Sequence, residues 1–367
     1  MDILSLNVSD TSKSIYPLKI CSLAMGVDLK ELFPKEQCAF DDFRDRVIVI
    51  DAYNVLHQFL SSIRQRDGTP LKDAQGRVTS HLSGLLYRTA NLVAAKIRPV
   101  YVFDGTPHPL KARTIQQRRE RKEQAEREWK EALEKGDLEK AKSKAQQTSR
   151  VTSEIIEQSK QLLEALGIPH LQAPSEGEAQ ASYMVQKGDA YAVGSQDFDC
   201  LLFGSPVLIR NLTSSEKRKL PNKQAYTTVH PERIRLEFGL QKLGISREQL
   251  VDIAILIGTD FNDGVKGYGP KKSLKLLQEK GTLENALESL TESGLGLSSD
   301  EIAMVRKIFL EPPVTKEYSM QWSAPNVSSV IHILCDEHQF SRKRVEPILG
   351  NFSSLNQCTK QKNLLDF

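Results

Sequence analysis

Three short apolar runs in this 367-residue chain end at aspartates. Asp51 closes Arg46-Val47-Ile48-Val49-Ile50, Asp104 closes Pro99-Val100-Tyr101-Val102-Phe103, and Asp197 and Asp199 follow Ala190-Tyr191-Ala192-Val193-Gly194-Ser195. β-Branched and aromatic runs of this length read as strands buried on both faces of a parallel sheet. The carboxyl ends of such strands form the binding crevice, so these four carboxylates converge on one edge. Glu176 and Glu178 fall in the cap and first turn of a predicted amphipathic helix, where the dipole favours negative charge. Asp260 ends the apolar run Ile253-Ala254-Ile255-Leu256-Ile257-Gly258-Thr259. Each of the seven has an ordinary explanation taken singly, as a turn residue, a capping acid or a solvated strand end. Together they do not, because seven like charges in one crevice repel unless cations or protons neutralise them.

Oxygen donors without His or Cys suit Mg²⁺ or Mn²⁺ rather than zinc. Two such ions about 4 Å apart suit phosphodiester hydrolysis, one lowering the pKa of the attacking water and the other stabilising the leaving oxygen. Two divalent ions bring +4 against −7, so an entering phosphate backbone needs further cations. Lys111 and Arg118 follow Asp104 on a predicted helix, seven residues apart and on one face, placed to hold the scissile phosphate. Spacing alone fits two exposed charges equally well. A second phosphate site is legible in Gly264-Val265-Lys266-Gly267-Tyr268-Gly269-Pro270-Lys271-Lys272, a glycine-punctuated turn that presents backbone N–H groups at a helix N-terminus. The same glycines also serve simply to end one helix and admit the next.

The order strand, helix, strand, with Ser80 to Ala95 apolar at helical spacing, implies an α/β layout with right-handed crossovers and a mostly parallel central sheet flanked by helices. From Lys111 to about Arg150 the composition turns to Arg, Lys, Glu, Gln and Ala, which predicts helices that cannot enter a core, broken near Gly136-Asp137. This stretch reads either as a solvated structure over a polyanion or as a plain exposed hairpin. Composition is that of a globular protein, with 39% hydrophobic and 26% charged residues and a net charge of +3. No apolar run reaches the ~20 residues of a membrane span, and no signal-peptide pattern opens the chain. The expected place is cytoplasmic, with no membrane partner. Five scattered cysteines lack CxxC spacing, which argues against a disulfide framework or a zinc ribbon.

The motifs VIVIDAYNVLHQFL, TSHLSGLLYRT, PVYVFDGTP, APSEGEAQASYM, GSQDFDCLLFG, GTDFNDGVKGYGPKK and LCDEHQFS stand in the order and spacing of the flap endonuclease family, whose archaeal members the chain resembles most. The resemblance runs from Met25 to roughly Leu349. It implies a PIN-like 5′ nuclease fold with a helical arch and a helix-hairpin-helix element. The implied activity is cleavage of 5′ flaps on branched DNA, with 5′-3′ exonuclease action, in Okazaki fragment maturation and repair. Position by position it makes Asp51, Asp104, Glu176, Glu178, Asp197, Asp199 and Asp260 a two-Mg²⁺ cluster, with Mn²⁺ able to substitute, and it sets Lys111 and Arg118 on the arch with catalytic roles beside Asp51, Asp104 and Glu176. It also implies DNA contacts at Arg64, Arg88, Glu176, Gly258, Asp260, Gly267, Gly269, Lys271 and Lys272, and a K⁺ ion at the hairpin turn.

Residues 1–24 read as an appendage, and family members commonly begin at Met-Gly; translation is expected to start at Met25, leaving Gly26 near the active site. The remainder divides into an N-terminal nuclease region, 25–129, and an internal region, 130–350, which form one catalytic unit with the arch at about 110–155. A tail spans 351–367. His57 stands where eukaryotic relatives carry a stacking tyrosine. Gln361, Leu364 and Phe367 resemble the motif that docks on the sliding clamp PCNA, with one aromatic only. The interval of about seventy residues between Asp104 and Glu176 suits a compact arch and disfavours a bubble-cutting repair nuclease. The rival readings are a 5′ exonuclease or junction resolvase of the same family, a non-catalytic DNA-binding protein, and a phosphotransferase built on Asp197-Phe198-Asp199.

Overall fold

The computed structural model describes residues 26–214, 217–219, 226–290 and 297–358. The extension 1–24 and the tail residues Gln361, Leu364 and Phe367 lie outside them.

After β1 (Glu36–Gln37), the run ending at Asp51 forms β2 (Val47–Asp51), and Asp51 caps α1 (Ala52–Ser62) by accepting the Asn54 N–H at 3.0 Å. The helically spaced segment forms α2 (Ser80–Ala94) and leads into β3 (Arg98–Phe103). The charged stretch forms α3 (Ala112–Glu134) and α4 (Leu138–Gln146). The break falls where expected: Gly136 takes a left-handed φ of 70°, and the Asp137 side chain caps α4 at the Lys140 N–H. Then come α5 (Ser153–Ala165), β4 (His170–Gln172), α6 (Gly177–Gln186) and β5 (Ala192–Gly194). This last strand is shorter than the apolar run suggests, because the chain turns away at Ser195. α7 (Asp199–Leu202) precedes β6 (Val207–Arg210), a hairpin of β7 (Lys217–Lys219) and β8 (Tyr226–Thr228), and β9 (Glu232–Arg235). The remainder is helical: α8 (Leu236–Leu243), α9 (Arg247–Ile257), α10 (Pro270–Lys280), α11 (Leu283–Glu288), α12 (Ser299–Leu310), α13 (Val327–Ile331), a π-helical turn at His332–Glu337, and α14 (Arg342–Leu349). Among the described residues no helix is long and apolar enough to cross a membrane.

The seven-stranded sheet runs β1-β9-β6-β5-β2-β3-β4, parallel from β6 to β4 and antiparallel where β9 joins β6 and β1. β2 lies centrally, with Ile50 in register with Tyr101 of β3 and Gly194 of β5. That register brings the ends of all three aspartate-terminated strands to one edge. Alternation along the strands splits the apolar residues between the two faces. Val49, Val100, Val102 and Val193 pack with α6, α9 and α12, whereas Ile48, Ile50, Tyr101 and Phe103 pack with α1, α2, α5 and residues 330–355. Each fully buried Ile, Leu or Phe contributes about 1.5–3 kcal/mol. Both clusters draw residues from either side of position 130.

Close approach of α1 and α2 depends on a glycine. A Cβ added at Gly84 would lie 2.2 Å from Cγ and 2.8 Å from Cβ of Phe59, atoms too near the backbone to swing aside. Gly84→Ala gains about 1 kcal/mol of helix propensity but overpacks the core at a cost of about 1–3 kcal/mol. The expected outcome is a net loss of stability in urea denaturation; a Gly84→Ala variant more stable than the wild type would show that the two helices separate freely.

Candidate metal centre

Local structure places each of the seven carboxylates, and backbone N–H groups hold Asp51, Asp104 and Asp199. Asp51 is fixed by capping α1. Asp104, one residue past β3, accepts the Gly177 N–H at 2.7 Å and is thereby tied to the start of α6. A Cβ at Gly177 would stand 2.7 Å from that same oxygen, so a side chain there would displace Asp104. Glu176 precedes α6 and Glu178 lies in its first turn. Asp197 and Asp199 follow β5; Asp199 accepts the Val27 N–H at 2.8 Å. Gly26, with a φ of 89°, lies so close that an added Cβ would meet Asp197 Oδ1 at 2.1 Å. Asp260 follows α9 in a link closed by the Thr259 N–H to the Asn262 carbonyl and by Asn262 Nδ2 to the Ile255 carbonyl.

Short contacts gather these groups into two neighbouring sets, whose charges act on each other through Asp104, which feels Asp51 and Glu176, and Asp199, which feels Asp260. Ligand oxygens of Glu178, Asp197 and Asp199 all lie within 4.8 Å of one another. Ser195 Oγ sits 3.3 Å from Asp51 Oδ2 and 3.4 Å from Glu178 Oε1. Lys111 Nζ reaches Glu176 Oε2 at 2.5 Å and Asp260 Oδ2 at 3.3 Å, and Arg118 reaches Asp260 Oδ1 at 2.5 Å. Asp51, Asp197, Asp199 and Asp260 are all buried. The two cations predicted from helical spacing are therefore at the centre, and they pair with carboxylates there.

Electrostatics follow from burial and crowding. Burial raises Asp51 to about 6. Burial, with the charges of Asp51 and Glu176, raises Asp104 to about 7. Asp199 rises to about 7 through burial and the charge of Asp260. Glu178 and Asp197 stand well above the usual carboxylate range, first from burial and then from neighbouring carboxylates. Burial works against the charge on Lys111, but Glu176 and Asp260 outweigh it and its pKa is raised. The pocket carries more negative charge than two basic side chains balance. Its donors are all oxygens, as hard divalent cations require.

Other predicted residues take separate places. Arg64 is turned into the protein: Nε donates to the Leu60 carbonyl at 2.7 Å, one terminal nitrogen to the Gly68 carbonyl at 2.8 Å and the other to Ser149 Oγ at 3.0 Å. It clamps the loop after α1 to the base of the charged hairpin. Arg88 lies half-buried on α2 beside the exposed Tyr87. His57 is buried, its Nε2 has no hydrogen-bond partner, and burial pulls it down to about 4. Gly258 and Gly267 take φ of 105° and 85°, and Gly269 caps α10 with no side-chain hydrogen bond, beside exposed Lys271 and Lys272. The first-turn N–H groups of α10 have no acceptor within the helix. Sequence reasoning missed Ser195 and Tyr53; the latter rises in pKa through burial and the charge of Asp104. A short polar residue beside two aspartates at a strand end was the available signal for Ser195.

Comparison with known proteins follows the same outline. The profile of the XPG N-terminal domain matches residues 25–125 and that of the XPG I-region residues 167–260. The chain is 51% identical over 343 residues to flap endonuclease 1 of Methanothermobacter thermautotrophicus, covering 94% of this chain and 100% of the relative. It is 50% identical over 331 residues to the protein of that name from Archaeoglobus fulgidus, covering 90% and 97%. The solved structure of flap endonuclease-1 from Methanococcus jannaschii superposes with a TM-score of 0.70 at 40% identity, covering 90% of this chain and 98% of that one.

Carboxylates with raised pKa must release protons to accept a cation. Relative to unfolded values of about 3.9, the raised groups stabilise the metal-free fold fully only at low pH, and that contribution is lost as pH rises through about 6 to 7. The gain in Tm on adding Mg²⁺ is therefore expected to be small at pH 5 and to grow by pH 8 in calorimetry. A gain that stays flat over that range would mean that Mg²⁺ does not enter this cluster.

Proposed function

The chain belongs to the flap endonuclease family, and from that premise we propose that its seven-carboxylate centre hydrolyses the phosphodiester bond at the base of a 5′ flap with two Mg²⁺ ions. The protein is a DNA-cleaving hydrolase of replication and repair. The observation that carries the mechanistic reading is the meeting of Glu178, Asp197 and Asp199 oxygens within 4.8 Å, together with the ion pairs that Lys111 and Arg118 make with Glu176 and Asp260.

All seven carboxylates would hold the cations, some directly and some through water, and Mn²⁺ has the same preference for oxygen donors. When bound, the two ions supply charge neutralisation, a more acidic attacking water and stabilisation of the leaving oxygen. The protein's own part is placement. Lys111, in the short turn before α3, and Arg118, on α3 itself, reach in onto Glu176 and Asp260, within the volume that a scissile phosphate would enter. Once cations neutralise those carboxylates, the two side chains are free to hold the phosphate and offset its developing charge.

The hairpin of α3 and α4 is the proposed arch over the 5′ strand. It rests on the loop after α1, where Trp129 Nε1 donates to the Asp67 carbonyl at 3.3 Å and Gly68 packs on Ala145. The turn between α9 and α10 is the proposed grip on duplex phosphates, through Gly267, Gly269, Lys271 and Lys272, with K⁺ on its carbonyls. Arg88, on the exposed side of α2, is proposed as a further backbone contact. Docking on the sliding clamp through Gln361, Leu364 and Phe367 rests on the tail's sequence alone. The archaeal relatives support work on branched chromosomal DNA in the cytoplasm.

An end-labelled double-flap DNA with Mg²⁺ tests the centre. Asp199→Asn is expected to bind the flap and to lower the cleavage rate by more than about 100-fold, since even changes around metal ligands cost about 10–100-fold. Cleavage at wild-type rate would remove Asp199 from the centre. Lys111→Ala is expected to lower kcat by roughly 10²–10³-fold at unchanged flap affinity; a change confined to KM would make Lys111 a binding residue.

A further inference from the structure

Ser195 stands at the meeting point of two carboxylates that come from different elements. It is buried, one residue past β5, and its Oγ lies 3.3 Å from Asp51 Oδ2 and 3.4 Å from Glu178 Oε1. The Asp197 N–H donates to the same Oγ at 3.1 Å. A serine hydroxyl has one hydrogen and two acceptor sites. With one acceptor site taken by Asp197, the hydrogen is turned toward the carboxylates and serves one of them at a time. Asp51 Oδ1 already accepts the Asn54 N–H at 3.0 Å, so Asp51 keeps a donor when the Ser195 hydrogen is turned to Glu178. Glu178 Oε1 also lies 3.8 Å from Cys200 Sγ, whereas Oε2 has no protein donor among the described residues.

We propose that Ser195 is a positioning residue that ties Glu178 and Asp51 together through its hydroxyl, holding Glu178 Oε1 inward so that Oε2 is presented to the cation. This inference rests on the metal-centre reading. Two like charges carried by β2 and α6 gain from separating; a shared donor between them holds both near one position before a cation arrives. The cation then meets a formed pair of ligands. Deleting the hydroxyl leaves the volume almost unchanged and the repulsion unopposed. Asp197 feels the same loss, since its backbone N–H loses its acceptor.

The test is direct binding of Mn²⁺, read by electron paramagnetic resonance of free Mn²⁺ at fixed pH, in the wild type, Ser195→Ala and Ser195→Thr. Ser195→Ala is expected to weaken Mn²⁺ affinity by about 10-fold, within the range for residues that orient metal ligands. Its flap cleavage should fall most at limiting Mg²⁺ and recover as Mg²⁺ is raised. Ser195→Thr, which keeps the hydroxyl, should bind Mn²⁺ within about twofold of the wild type. Equal affinity in wild type and Ser195→Ala overturns the proposal while leaving the metal centre standing. A loss in Ser195→Ala that threonine does not restore, accompanied by a lower Tm of the metal-free protein, also overturns it, since that pattern belongs to packing. A wild type that takes up no Mn²⁺ instead defeats the metal-centre reading itself.

Discussion

Repulsion among buried carboxylates is the constraint on which the rest of this structure depends. Left to themselves, Asp51, Asp104, Glu178, Asp197 and Asp199 gain by separating or by taking up protons; burial raises the pKa of all five, and neighbouring carboxylates raise Asp104, Glu178, Asp197 and Asp199 further. The fold opposes separation by fixing each group to backbone that cannot move independently. The register of β2 with β3 and β5 sets three of the attachment points. Donors from the chain complete the work: Asn54 N–H on Asp51, Gly177 N–H on Asp104 and Val27 N–H on Asp199. Gly177 and Gly26 are glycines for the same reason, because a Cβ at either position would occupy space that a carboxylate needs.

Lys111 and Arg118 give this constraint a dynamic side. Arg118 lies on the charged hairpin and Lys111 in the turn that leads into it. Besides their ion pairs with Asp260 and Glu176, this mostly solvated hairpin is fastened by Arg113 on Asp263, Trp129 on Asp67, Arg64 on Ser149 and Gly68 against Ala145. Segments with few buried apolar contacts open at low free-energy cost. Part of what holds the hairpin down is therefore the unneutralised charge of the centre. Cations that fill the pocket would weaken that hold and release the same side chains for a phosphate. If the cations bind as proposed, attachment of the hairpin and loading of the centre would be coupled through Asp260 and Glu176.

Much of this was legible in the sequence because it rests on local pattern. Strand-terminal aspartates, the helical spacing of α2, the Gly136-Asp137 break and the glycines between α9 and α10 each have a short-range physical cause, and each appears where its pattern places it. The parts that were not legible depend on distant contacts. At Arg64 the family resemblance implies a DNA contact, whereas its guanidinium donates to Leu60, Gly68 and Ser149, the last of these 85 positions away. The motif around His338 and Gln339 grips the Asp73 to Arg77 loop, with His338 Nδ1 3.0 Å from Asp73 Oδ2 and the Ala74 N–H on Gln339 at 2.7 Å. No periodicity announces such a pairing. Ser195 escaped notice because its importance lies in which two oxygens it stands between.

The position of Asp260 links the two ends of the proposed chemistry. It lies between α9 and the glycine turn, in a link where Gly264 packs so tightly on the Ile257 carbonyl that a Cβ would approach to 2.1 Å. The Val265 N–H closes the same link onto the Leu256 carbonyl at 2.8 Å. One short link therefore joins a carboxylate that binds Lys111 and Arg118 to the N-terminus of α10. A duplex gripped at that turn, as proposed, would be held at a short and closely packed remove from the carboxylates. If the proposed grip holds, the position of cleavage would follow from geometry along the phosphate backbone, since contacts to phosphates read no base.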